Sequence, residues 1–252
     1  MFMLPISGVP VRLAGPRGQD ELLLAEGSPG SLALRVEVAR RLAPPGADSV
    51  DWAELPFADV DAALLGLRQR LVGERMLAEV RCESCGGWGD VPISIPQYLA
   101  SKNPKRVAGA AREADGWWRW RDVRFRVPTT ADVLEECGRA GSASAAAEAL
   151  QRRCVLADSP EVLARVNTLL DRLAPPLSGQ VQGTCPACQN TLRGWFDPGA
   201  FVLAELQARA FLLFDHIHLL ASCYGWSEEA ILALPSQRRA LYASLIAEDR
   251  SK

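Results

Sequence analysis

Two Cys-x-x-Cys pairs, Cys82/Cys85 and Cys185/Cys188, constrain this chain more than any other feature of its sequence. Two residues between thiols let both sulfurs of one tight turn face the same point. Two such turns supply the four thiolates of a tetrahedral zinc site. The flanking text is alike in both places. Residues 76–81 lead into the first pair, and 90–95 follow it before Pro96. Residues 178–184 lead into the second pair, and 191–197 follow it before Pro198. Each unit reads as a strand, a cysteine-bearing turn, a returning strand and then Pro at a helix start.

The predicted fold class follows: α+β, mainly α, with a split four-cysteine zinc ribbon made of two CxxC β-hairpins. A helical insertion separates the hairpins and a C-terminal helical bundle follows them. The 99 residues between Cys85 and Cys185 make a long excursion for one ribbon. Loop-closure entropy grows only logarithmically with length, and a structural zinc site returns roughly 10–16 kcal/mol in small peptides. A shared Zn2+ site at Cys82, Cys85, Cys185 and Cys188 is therefore the favoured reading. The alternatives are two metal-free knuckles, a site that has lost its metal, and a thioredoxin-like redox pair. Neither pair opens a helix, the position that lowers a thiol pKa for redox work. Four thiolates close the coordination shell, so the metal is expected to be structural. The remaining cysteines, Cys137, Cys154 and Cys223, read as small buried hydrophobes. An odd total of seven argues against a disulfide framework.

The chain divides into an N-terminal strand and helix region (1–75), the split ribbon (76–101 with 178–197), a basic, Trp-rich loop with a helical insertion (102–177), and C-terminal helices (198–252). The 37 Ala and 34 Leu residues favour helix, because neither loses much side-chain freedom there. Helices are predicted over 19–26, 31–42, 58–72, from Thr129 or Thr130 through Cys137, over 143–153, from Pro160 to Leu173, from Pro198 to Gly225, after Ser227, and over 236–249. Residues 1–18 suggest a short strand or hairpin, and 122–127 alternate as a strand.

A formal charge of −2 does not suit a chain that coats nucleic acid or an anionic membrane. The most apolar stretch, 210–226, is interrupted by Asp215, His216 and His218 and is too short and polar to cross a bilayer. Pro5, Gly8 and Pro10 fall where a signal peptide needs a continuous apolar core, so the chain reads as intracellular when made. Residues 102–126 depart locally, with eight Lys and Arg against three acids. Trp117, Trp118 and Trp120 sit among them around an expected loop at 109–116. Such a mixture serves a protein contact, intramolecular packing or, less favourably, single-stranded nucleic acid.

At the C-terminus one long apolar stripe from Phe201 to Ala221 carries more bulk than a single packing face needs. Phe211 and Phe214 lie off its line, and Tyr224 and Trp226 follow it. These four, with the three tryptophans, are the candidate partner-binding residues. His216 and His218 are two apart on a helix and cannot share a metal there; both read as satisfied core or interface histidines. No P-loop, dinucleotide fingerprint, zinc-protease motif or serine elbow is present, and no carboxylate pair stands out from solvated helix faces. No catalytic residue is assigned, and a non-enzymatic protein is expected.

Several segments together resemble a family of base-plate proteins, including the hub, of contractile-tailed phages and related contractile injection systems. They are 67–86, Arg124–Leu134 with Arg153–Val155, Cys185–Asp197, and above all His218–Pro235 followed by Arg238–Tyr242. Gln189 stands where the family has Gly after the second knuckle, and Glu83 where Pro is common in the first. The resemblance implies a structural or assembly role. Its implied partners are other base-plate, hub or spike proteins, with no small-molecule substrate and no membrane insertion. It places the protein in the bacterial cytoplasm during assembly and, if retained, in the base plate of the particle. The alternative is a zinc-ribbon nucleic-acid-binding protein that uses 102–126.

Overall fold

A computed structural model describes residues 1–46, 50–157 and 159–250. Residues 251–252, counted in the expected C-terminal segment, lie outside the described residues. Strands β1 (Phe2–Met3) and β2 (Pro10–Val11) pair antiparallel and precede α1 (Gly18–Glu26), α2 (Leu32–Leu42) and α3 (Phe57–Leu71). A hairpin of β3 (Arg75–Arg81) and β4 (Trp88–Ser94) runs into α4 (Ile95–Ser101). Next come β5 (Ala110–Arg112), β6 (Trp118–Trp120), β7 (Val123–Phe125), α5 (Thr130–Arg139), α6 (Ala143–Cys154), β8 (Val155–Leu156) and α7 (Pro160–Leu173). A second hairpin, β9 (Gly179–Thr184) and β10 (Thr191–Phe196), leads into α8 (Pro198–Ala210), α9 (Leu212–Tyr224), α10 (Glu228–Leu232) and α11 (Ser236–Arg250). The fold is mixed α/β, with about half the chain helical.

Helix α3 lies at the centre, because every residue from Asp59 to Arg68 is buried. A helix without a polar face has to be surrounded, and α2, α4, α5 and α8 all pack on it. Both hairpins feed the same core with strictly alternating side chains: Met76, Ala78 and Val80; Val91 and Ile93; Val181; Leu192 and Phe196. Each of these side chains larger than Ala contributes about 1.5–3 kcal/mol of burial, so apolar packing already orients the hairpins.

The segment between the hairpins builds its own small core from Phe125, Val155, Val166, Leu169 and Leu173, with Trp118 and Trp120 packed on it. It is tied to the main body through Leu55, whose carbonyl accepts from Thr130 N (2.7 Å) and Thr130 Oγ1 (2.8 Å). The expected loop at 109–116 is corrected here. Strands β5, β6, β7 and β8 form a four-stranded antiparallel sheet in that order. Gly116 (φ +86°) makes the turn between β5 and β6. Period-two alternation puts Trp118 and Trp120 on one face and Arg119 on the other.

The long C-terminal helix is also corrected. It breaks at Phe211 without Pro or Gly, where Phe214 N donates to the Phe211 carbonyl (3.2 Å) as a tightened turn. Helix α8 stays on α1 and α3, while α9 turns away to pack on α10 and α11 around Leu220, Ile231 and Ile246. The buried Arg239 of α11 bonds Glu21 of α1 and latches this lobe to the body. No helix among the described residues is long and apolar enough to cross a membrane.

Candidate metal centre

The two cysteine turns are built to the same plan. In the first, Cys82 N donates to the Gly87 carbonyl (2.7 Å) and Gly86 N donates back to the Cys82 carbonyl (2.9 Å). In the second, Cys185 N donates to the Asn190 carbonyl (2.8 Å) and Gln189 N to the Cys185 carbonyl (3.0 Å). The hairpins then pack with β3 against β10 and β4 against β9. Close approach depends on two glycines: a Cβ on Gly194 would come within 2.7 Å of Val80 Cγ2, and one on Gly183 within 2.9 Å of Val91 Cγ2.

This packing gathers the four sulfurs. Cys82 Sγ lies 3.7 Å from Cys188 Sγ, and Cys85 Sγ lies 3.7 Å from Cys185 Sγ. All four ligand atoms fall within 4.8 Å of one another. A tetrahedron with Zn–S bonds of about 2.3 Å has sulfur–sulfur edges of about 3.8 Å, so the set could hold a metal ion and suits zinc. Cys82 and Cys185 are buried, Cys188 is half-buried and Cys85 is exposed, so an ion here would sit at the rim of the core. Backbone N–H groups of Cys85 and Ser84 aimed at Cys82 bring its thiol down to about 6. Those of Cys188 and Ala187 lower Cys185 in the same way. At Cys188 the Asn190 amide lowers the thiol, but burial and the neighbouring sulfurs outweigh it and push it up to about 12. The turns thus favour thiolate at the first cysteine of each pair, which is the form that binds metal.

Both knuckles pass through the left-handed region at one equivalent position, with different residues. Gly86 has φ +73°, and the equivalent residue of the second turn, Gln189, has φ +60°. A side chain in the left-handed region costs about 1 kcal/mol. Gly86→Ala is therefore expected to lower stability by about 1 kcal/mol, and Gln189→Gly to raise it by up to that amount, in denaturant titrations of the two variants.

The other cysteines separate by environment. Cys154 is buried, and burial pushes its thiol up to about 11, the inert state expected of a packing residue. Cys137 is half-buried and Cys223 exposed, so the buried-hydrophobe reading is corrected for both; they lie near the C-terminal ends of α5 and α9. The histidine reading is corrected in part: His218 is exposed, so it is not a core residue, and the buried Nδ1 of His216 has no hydrogen-bond partner among the described residues, so it is not a satisfied one.

Among the expected partner-binding residues, Trp117, Trp118 and Trp120 are half-buried. Arg124 and Arg126 lie over the Trp117 ring at 5.3 and 5.7 Å, and Arg121 over Trp120 at 4.5 Å. Phe211, Phe214, Tyr224 and Trp226 are 37–52 % exposed. Phe211 packs on Phe214, while Tyr224, Trp226 and Tyr242 form one aromatic cluster with centroids 5.2–6.4 Å apart. The sequence reading passed over Trp88 and Trp195, which are 59 % and 72 % exposed on the outer faces of the hairpins. Strand alternation held the signal, since Trp195 lies out of phase with Leu192, Gly194 and Phe196.

It also passed over a buried ionic cluster. Arg35 bonds Asp61 Oδ1 (3.2 Å) and Asp197 Oδ2 (2.7 Å), and Asp197 Oδ1 caps α8 by accepting from Ala200 N (3.1 Å). Two residues before Asp61, the fully buried Asp59 accepts from Ile6 N and Ser7 N, both at 2.9 Å, and fixes the N-terminal turn. Asp59 and Asp61 stand on the buried run of α3, and nothing local to the sequence separates them from the carboxylates of solvated helix faces.

By fold and site this is a mixed α/β protein with a closed four-cysteine cluster of metal-binding geometry. No protein-family model, curated protein or solved structure matches the chain.

Proposed function

We propose that this chain is a non-enzymatic structural or assembly component of the base plate of a contractile phage tail or contractile injection system. In this reading the hairpins are a split zinc ribbon, and Cys82, Cys85, Cys185 and Cys188 hold a structural Zn2+. The observation that carries it is the pairing of a closed thiolate set, which leaves no position for a substrate, with apolar aromatics exposed on the separate C-terminal lobe. Phe211, Phe214, Tyr224 and Trp226 have the chemistry of interface anchors. The partners are other base-plate, hub or spike proteins, met in the bacterial cytoplasm during assembly.

Nucleic-acid binding is less well supported. Arg119 and Arg124 pair with Glu113, Arg124 also with Asp115, and Arg126 with Asp132. Three of the eight cations of 102–126 are thus paired within the molecule, and the Trp117 and Trp120 faces carry arginines.

Removing residues 227–252 would strip Ile231 and Ile246 from the lobe's core, so surface point variants give the cleaner test. Trp226→Ala combined with Phe214→Ala is expected to reduce co-purification with sheath, wedge or spike proteins and the yield of particles, with zinc content unchanged and the thermal midpoint lowered only by the few degrees that the lost ring contacts are worth. Normal particles from such a variant would move the interface to Trp195 or the Trp117–Trp120 sheet. Failure to recover any tail protein with the wild-type chain would overturn the base-plate reading.

A further inference from the structure

A cavity of about 300 Å³ opens between the main body and the inserted segment, beside the Arg35 cluster. Its walls are mainly apolar, including Leu32, Phe57, Val127 and Leu177, and Asp61 and Asp197 both reach it. The charges there do not balance. Two carboxylates face one guanidinium, and the α8 N-terminus beside Asp197 adds only about half a positive charge. Asp197 uses both oxygens, one on Ala200 N and one on Arg35. Asp61 is 5 % exposed and uses only Oδ1; its other oxygen accepts no hydrogen bond from the described residues. A carboxylate mostly withdrawn from water and hydrogen-bonded on one oxygen only is costly, and burial, opposed by Arg35 and reinforced by Asp197, pushes the Asp61 carboxyl up to about 7.

We propose that this cavity is a receptor for a lysine side chain of a partner protein. The ammonium group donates to the open oxygen of Asp61 and faces Asp197, and the aliphatic stem lies along the apolar walls. A single positive charge on a slender apolar stem supplies what the cavity lacks in both charge and shape. Lys102, whose partner Pro176 lines this cavity, is already engaged: its Nζ donates to the Pro176 carbonyl (2.9 Å). A free diamine shares the head group, but its second ammonium would meet only apolar walls and an Asp197 whose two oxygens are already used. The inference does not depend on the base-plate reading.

The test is a titration of the full-length, isotope-labelled protein at pH 8 with Nα-acetyl-lysine methylamide, followed through the amide signals of Gly199 and Leu177. Saturable shifts are expected. The norleucine analogue, which has the stem without the charge, should bind at least about tenfold more weakly. Asp61→Asn should weaken the lysine probe by a similar factor. Asp197→Asn, which keeps the α8 cap, should weaken it as well. Absence of saturation, equal binding of the norleucine analogue, or unchanged binding in both variants would overturn the proposal. Cadaverine binding more tightly than the lysine probe would overturn the protein source in favour of a free diamine. If Asp61→Asn fails to fold, the norleucine and Asp197→Asn arms still decide.

Discussion

Replacing Cys185 by Ser is expected to lower bound zinc from about one ion per chain to none and to loosen both hairpins together. The reason is geometric. The second turn contributes two of four sulfurs, and each of its sulfurs sits against one from the first turn, 100 or 106 residues away. Three thiolates bind far more weakly than a closed set of four, and the free energy of the metal is also folding free energy. The apolar contacts of Val80, Val91, Leu192 and Phe196 remain, so the domain should persist in destabilised form. A loss of roughly 3–5 kcal/mol would lower the thermal midpoint of a chain this size by about 10 °C. Metal analysis and thermal melting of the variant, and of the wild type after chelation, check both parts. Cys154→Ser should leave zinc content untouched. An unshifted midpoint after chelation would mean that apolar packing alone holds the hairpins together.

Arg35→Leu should be nearly as damaging, by about 3–5 kcal/mol, because it leaves the buried Asp61, with the half-buried Asp197 beside it, without their cation. Its cost should depend on pH in a direction that identifies the cause. Burial, only partly opposed by Arg35, holds the Asp61 carboxyl at about 7, well above its ordinary 3.8. Between these values the folded state keeps a proton that the unfolded state has released. The stabilisation is complete below about pH 4 and is lost as pH rises through about 7. Removing Arg35 removes the group that opposes this shift, so the variant should recover most at acidic pH. The double variant Arg35→Leu, Asp61→Asn should be less destabilised than Arg35→Leu alone at pH 8, a coupling read from a double-mutant cycle of denaturant midpoints. Equal losses at pH 5 and pH 8 would show that the damage comes from lost packing of the Arg35 stem and not from charge.

Much of the local structure was legible along the chain. The alternation of Met76, Ala78 and Val80, the Cys-x-x-Cys spacing and the Pro that opens each following helix are short-range signals, and each determined its element. The same holds for Thr129, which caps α5 through Asp132 N (3.3 Å), and for Gly225, which ends α9 at φ +64°. The Trp-rich segment was misread as a loop because its strands are three residues long, and their regularity comes from pairing with one another and with Val155–Leu156 thirty residues on. The break at Phe211 had no breaker residue to announce it. It exists because α8 and α9 serve different cores.

The sequence by itself determined that four thiols come in two matched turns, that the flanking strands have one apolar face each, and that helices fill most of the remainder. These are properties of spacing and period, which act over a few residues. Only the tertiary structure decided that the two turns meet sulfur to sulfur, which side of Trp195 and Trp226 stays exposed, and that Arg35, Asp61 and Asp197 share one buried site. Those outcomes depend on which distant surfaces exclude water together. A charge at position 61 looks the same in a sequence whether solvent or a helix covers it, and burial alone turns it from an ordinary carboxylate into an unbalanced one.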